Sequence, residues 1–214
     1  MPSLDGLVTL AVLAFVGVRL VGGLRTARSA SGRRAVAEIV RGVRLRHVWP
    51  APFVLVVVIV AATALMRVPG LDWGWWTWLG GDGNPVFGTS QATAGTVLEW
   101  LVPLVFVCLL LPALPLFAQA EERMFRSGAE RWSNPRRAAK ALQFGLVHAL
   151  IGIPIGAALA LALGGAYFTV VYLRSWRSTG SARAALLEST RAHTCYNAVI
   201  IALVGIGLAL DAIL

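Results

Sequence analysis

Apolar residues run along this chain in long blocks, and short segments crowded with arginine separate them. A bilayer's hydrocarbon core of ~30 Å takes about 20 apolar residues as a helix. Blocks near residues 7–24, 50–66 and 96–120 suit that length. The apolar stretch 142–173 is too long for one ordinary span, and IGIPIG interrupts it at 151–156 with Pro154 at its centre. Dividing it there gives spans near 138–153 and 154–173, joined by a tight uncharged turn, and a last block covers about 192–213. The pattern predicts an all-α, polytopic transmembrane bundle of about six spans, one membrane domain over 1–214. Pro103, Pro112 and Pro115 predict kinks in the third span.

The segments between the blocks carry the orientation. Arg25, Arg28, Arg33, Arg34, Arg41, Arg44 and Arg46 follow the first block, with Val36, Ile39, Val40 and Val43 at helical spacing opposite them. That pattern predicts a short amphipathic helix on the inner leaflet, with a solvated loop as the alternative at 29–32. Trp73, Trp75, Trp76 and Trp78 lie among glycines in 69–95, and tryptophan favours the headgroup level, so an interfacial loop is expected there. Arginine dominates the segments after the first, third and fifth spans. The positive-inside rule then places both termini outside an inner (plasma) membrane. The composition, rich in arginine and alanine, looks bacterial.

Composition sharpens this. Hydrophobic residues make up 57% of the chain and charged residues 14%, with a mean hydropathy of +0.74. Soluble domains carry about 25% charged residues, so membrane lipid is the expected surrounding. A net charge of +9 and a pI near 11.2 also suit a nucleic-acid binder, but the arginines sit between apolar blocks, so no nucleic-acid partner is expected. Cys108 and Cys195 have no CxxC partner, which argues against a disulfide framework or a structural zinc site. The start MPSLDGL lacks the basic region of a signal peptide, so the first block is expected to stay as a span.

Polar residues at membrane depth call for an explanation. Glu121 and Glu122 open EERMFR, where Glu122 and Arg126 share a helix face and Glu121 points about 100° away. Taken alone, the pair is a membrane-boundary ion pair. Phe144 and His148 share a face deeper in the fourth span, and a lone helical histidine is more often packed than catalytic. His193 and Asn197 share a face at the start of the sixth, as an interhelical hydrogen-bond pair would. In a six-span arrangement all these groups come to one side of the membrane. A carboxylate, two imidazoles and an amide in an apolar setting are the parts for hydrolysing an amide bond: a base for water, a proton carrier and oxyanion donors.

EERMFR at 121–126, FGLVH at 144–148 and HTCYN at 193–197 together resemble the CAAX-protease and bacteriocin-processing family of intramembrane peptidases, which includes the Ras-converting endopeptidases. Thr179, Gly180 and Ser181 resemble a short turn common before the last motif. The resemblance covers about 109–202, the protease-like core. It implies Glu121 as the general base, His148 beside it, and His193 with Asn197 as the oxyanion site. Glu122, Arg126 and Phe144 would support that site. It departs from the family where Ser127 precedes Gly128. No cofactor is expected under a glutamate mechanism. The alternative is a zinc ion on Glu121, His148 and His193 with water in the fourth position. The expected substrate is a peptide or membrane protein at the cytoplasmic side. A non-catalytic membrane subunit contacting another membrane protein, in an immunity, chaperone or scaffold role, is the second reading, and a transporter or channel is the third.

Overall fold

The computed structural model describes residues 4–81 and 94–211. Among the described residues there is no β-strand, and ten α-helices account for most of them. They are α1 (Leu4–Arg28), α2 (Ala30–Arg41), α3 (Leu45–Val48), α4 (Pro50–Leu65), α5 (Trp75–Trp78), α6 (Leu98–Leu110), α7 (Leu114–Arg126), α8 (Asn134–Leu146), α9 (Ile155–Thr179) and α10 (Ala182–Asp211).

Among the described residues, four stretches are long and apolar enough to cross a membrane: Leu10–Arg28, Leu45–Leu65, Leu98–Arg131 and Ile155–Thr179. They coincide with the expected first, second, third and fifth spans. The region of the fourth is built differently: α8 is a 13-residue amphipathic helix that tightens into a 3-10 turn over Val147–Ile151. The last apolar block lies within α10, whose first half carries Arg183, Glu188 and Arg191; residues 212 and 213 of that block lie outside the described residues. Phe15, Val18, Phe53, Val60 and Val170 are each 60–72% exposed, a surface suited to lipid and costly in water.

Helix α9 lies at the centre, with α4, α8 and α10 packed around it, and α7 packs against α10. Small residues allow the close approach of α8. A Cβ on Gly145 would come within 2.2 Å of the Ala158 carbonyl oxygen, the small-on-small contact by which membrane helices pack without a hydrophobic driving force.

Proline and glycine mark the breaks. Pro112 lies in the 3-10 turn Leu111–Ala113 between α6 and α7, and Pro115 occupies the first turn of α7. Pro103 remains inside α6. Gly152, at φ +94°, ends the 3-10 turn before Pro154 caps α9, so the division expected at Pro154 is present. The amphipathic helix expected after the first block is α2, with Ile39 fully buried and Val40 half exposed. Residues 29–32 are its cap and first turn rather than a loop: Ser29 Oγ accepts the Gly32 N–H at 3.0 Å.

Hydrogen bonds and ion pairs tie the inter-helix segments into two sets. At one end, Arg183 pairs with Glu38 at 2.8 Å and Tyr172 donates to Glu130 at 2.7 Å. The first contact joins the segments that follow the first and fifth apolar stretches, and the second ties the segment after the third to the end of the fifth stretch itself. At the other end, the Ile155 and Gly156 N–H groups donate to the Trp73 and Leu71 carbonyls at 2.9 and 2.6 Å. The tryptophan-rich segment therefore folds onto the start of α9, with Trp76 buried and Trp73 and Trp78 exposed. Residues 82–93 of the expected interfacial loop lie outside the described residues.

Candidate active site

The expected polar residues lie on α7, α8 and α10, with His148 in the 3-10 turn after α8. At the centre is His193, 2% exposed. Its Nδ1–H donates to Glu122 Oε1 at 2.9 Å, and its Nε2 lies 3.7 Å from Glu121 Oε2. The sequence pattern sends Glu121 and Glu122 to different neighbours. Instead they address opposite nitrogens of one imidazole, because α10 lies close to α7 and a glutamate side chain is long enough to bend back. Glu122 is fully buried, whereas the Glu121 side chain keeps 34% of its exposure.

Arg126 completes the buried part. Its Nη1 lies 3.0 Å from Glu122 Oε1, one helical turn away, and its Nη2 donates to the Gly165 carbonyl at 3.0 Å. A charge taken out of water needs such partners, since an unpaired one costs several kcal/mol. Arg126 Nε has no hydrogen-bond partner among the described residues. Aromatic faces surround the guanidinium instead, with the Phe144, Phe168 and Phe125 ring centroids 4.4, 5.4 and 5.8 Å from Cζ. Arg126 is also the last residue of α7. Ser127 turns extended and Gly128 takes φ +86°, so Ser127 before Gly128 forms the helix stop.

Phe144 connects the two imidazoles. Its ring centroid is 5.1 Å from that of His148 and 5.5 Å from that of His193, both edge to face. The His148 Nδ1–H donates to the Phe144 carbonyl at 2.8 Å, which leaves Nε2 as an acceptor. His148 and Asn197 are half buried. Asn197 lies one turn beyond His193, and its side chain has no hydrogen-bond partner among the described residues.

Helix α9 supplies what the sequence reading missed. Phe168 stacks on the His193 ring at 4.3 Å with an interplanar angle of 19°. Thr169 Oγ1 donates to the same Gly165 carbonyl that Arg126 uses. Phe144 can approach only because residue 165 is glycine: a Cβ there would lie 2.8 Å from Phe144 Cδ1. The available signal was the Gly164–Gly165 pair inside an apolar span. A second polar cluster was also missed, His47 with Glu188 at 2.9 Å. Its two residues are 141 positions apart in the chain.

Among the described residues no group of three or more His, Cys, Asp or Glu side chains is placed to hold a metal ion. His193 Nδ1 is committed to Glu122. No family model, curated protein or solved structure matches this chain.

Proposed function

We propose that this chain is an intramembrane endopeptidase of the glutamate type, cleaving a membrane-associated peptide or protein at the cytoplasmic side. One observation carries this reading: a buried imidazole, His193, has one nitrogen bound to Glu122 and the other turned toward the half-exposed Glu121. The reading also rests on the three motifs that resemble the CAAX-protease and bacteriocin-processing family.

In this mechanism Glu121 takes a proton from water, and the water oxygen attacks the peptide carbonyl. His148 Nε2, free to accept, holds that water. The Asn197 amide N–H stabilises the oxyanion, joined by His193 Nε2–H when the ring has taken up a second proton from solvent; one such donor is typically worth about 3–4 kcal/mol. Collapse of the intermediate breaks the C–N bond, and Glu121 returns the proton to the leaving amine. Glu122 and Arg126 fix the His193 ring and do not exchange protons.

The chain would cross a bacterial inner membrane about six times with both termini outside. The gathering of the arginine-rich segments at one end of the bundle supports this orientation.

The test is cleavage of a membrane-anchored peptide library by the full chain in liposomes, read by mass spectrometry. Wild type should cut, with full activity in strong chelator, and Glu121→Ala and His148→Ala should not. Equal activity in all three proteins overturns the proposal. A second reading, a non-catalytic membrane subunit, is favoured by the burial of the Glu122–Arg126–His193 network, which suits polar glue between helices. It predicts a co-purifying membrane protein and tolerance of Glu121→Gln.

A further inference from the structure

Away from the Glu121–His193 cluster, α3, the start of α4, α9 and α10 enclose a cavity of about 630 Å³. We propose that it binds the phosphate-bearing headgroup of an anionic phospholipid, independently of any peptidase activity.

Charge is the first argument. Arg46, Arg174 and Arg191 line the cavity, and Glu188 is the one carboxylate in its wall. Glu188 is already engaged by three partners: Arg191 at 2.7 Å, and Arg46 and His47 at 2.9 Å. His47 adds no cation in this arrangement. Its Nδ1 accepts the Arg44 N–H at 2.9 Å, so the ring proton lies on Nε2, facing Glu188. Three guanidinium groups against one carboxylate leave an excess of two positive charges. Arg174 is exposed, and among the described residues it has no ion-pair or hydrogen-bond partner. Arg191 is held in place by Glu188 and by the Glu38 carbonyl at 3.2 Å. A free guanidinium beside a fixed one suits a phosphate, which arginine binds through paired N–H donors.

Shape is the second argument. Along α9 the wall runs from Tyr167 and Val170 in mid-span to Arg174 and Thr179 at its end. That is about 18 Å at 1.5 Å per residue. The polar end lies where the span leaves the apolar region, and the apolar end lies at acyl-chain depth. Val170 is 60% exposed, so the cavity opens sideways toward lipid. Its volume falls among pockets of about 300–1,000 Å³ that hold a whole small ligand. A free phosphate would fill only the arginine end and leave the apolar wall bare. Basic pockets between membrane helices on the cytoplasmic side are where anionic headgroups bind.

The experiment is native mass spectrometry of the full chain in detergent, with dioleoyl phosphatidylglycerol, dioleoyl phosphatidylcholine or inorganic phosphate added. Wild type should retain phosphatidylglycerol at least about fivefold over phosphatidylcholine, and Arg174→Gln should remove that preference. Arg174 is exposed, so the variant should fold, and unchanged elution and helicity check this. Equal retention of both lipids, or a preference that survives in both Arg174→Gln and the Arg46→Gln/Arg174→Gln double variant, overturns the proposal. Displacement of phosphatidylglycerol by millimolar phosphate overturns the lipid assignment in favour of a soluble anion.

Discussion

Glu122 accepts a hydrogen bond from His193 at 2.9 Å across a sequence separation of 71 residues, and it also holds Arg126 at 3.0 Å. One fully buried carboxylate therefore locks α7 to α10 and balances a buried guanidinium. Removing one partner of such a pair typically costs about 3–5 kcal/mol, whereas replacing both with apolar groups is far milder. Glu122→Gln should destabilise the protein by about that amount. The Glu122→Gln/Arg126→Met double variant should lose clearly less than the sum of the single changes. Helicity followed through an SDS titration would measure this, and additive losses would contradict the coupling.

Gly164 and Gly165 are neighbours in α9 with opposite surroundings. A Cβ at 164 meets nothing nearer than 4.0 Å, whereas one at 165 would press on Phe144, on the Ala141 carbonyl at 3.1 Å and on Arg126 Nη2 at 3.2 Å. Overpacking of this kind costs about 1–3 kcal/mol. Gly165→Ala should lower stability by that amount, and Gly164→Ala should leave it unchanged or slightly raised, since alanine favours the helix. A pair of thermal melts in the same detergent decides the matter; equal melting temperatures would mean that α8 and α9 are not in this close contact.

The sequence pattern carried the coarse architecture and the polar half of the site. Apolar block lengths located four helical stretches able to cross a membrane, and Pro154 located the break before α9. The i, i+4 spacing of Glu122 and Arg126 anticipated their ion pair. The apolar half was illegible, because a phenylalanine inside a span reads the same whether it faces lipid or stacks on an imidazole, as Phe168 does. The 100° separation of Glu121 and Glu122 was a true statement about Cβ directions. It failed as a statement about partners because two long side chains converge on one ring. His47 and Glu188 could not be paired from spacing, since only the approach of α3 to α10 joins them.

Glu188 gives the arginine-rich end an acid sensitivity. Burial alone would raise its carboxyl above the ordinary value of 4.5, but hydrogen bonds from His47 and Arg191 and the charge of Arg46 outweigh burial and lower it. A carboxyl depressed by folding contributes stability that is present above pH 4.5 and is lost as pH falls through its lower folded value. The attachment of α3 to α10 should therefore loosen below about pH 4.5. Hydrogen exchange along 182–191, corrected for intrinsic rates, should show protection falling in that window in wild type. Glu188→Gln should flatten the dependence; a variant with the wild-type profile would assign the acid response to another group.

The chain has three histidines, and hydrogen bonds fix a different arrangement at each. His47 Nδ1 accepts a backbone N–H, so its proton lies on Nε2. His148 is the reverse: Nδ1–H donates to the Phe144 carbonyl, and Nε2 keeps its lone pair. His193 must carry a proton on Nδ1, because the carboxylate of Glu122 can only accept. Its Nε2 faces Glu121, so a second proton there would be shared toward that carboxylate. Solid-state nitrogen spectra of histidine-labelled protein, at a pH well above the ordinary histidine value of about 6.5, should show His47 and His148 as opposite neutral tautomers. Each signal is assigned by its loss in His47→Gln or His148→Gln. Glu121→Gln should shift the His193 Nε2 resonance and leave the other two unchanged. If His148 carries its proton on Nε2, it cannot accept from a bound water there, and the role assigned to it in hydrolysis fails with that observation.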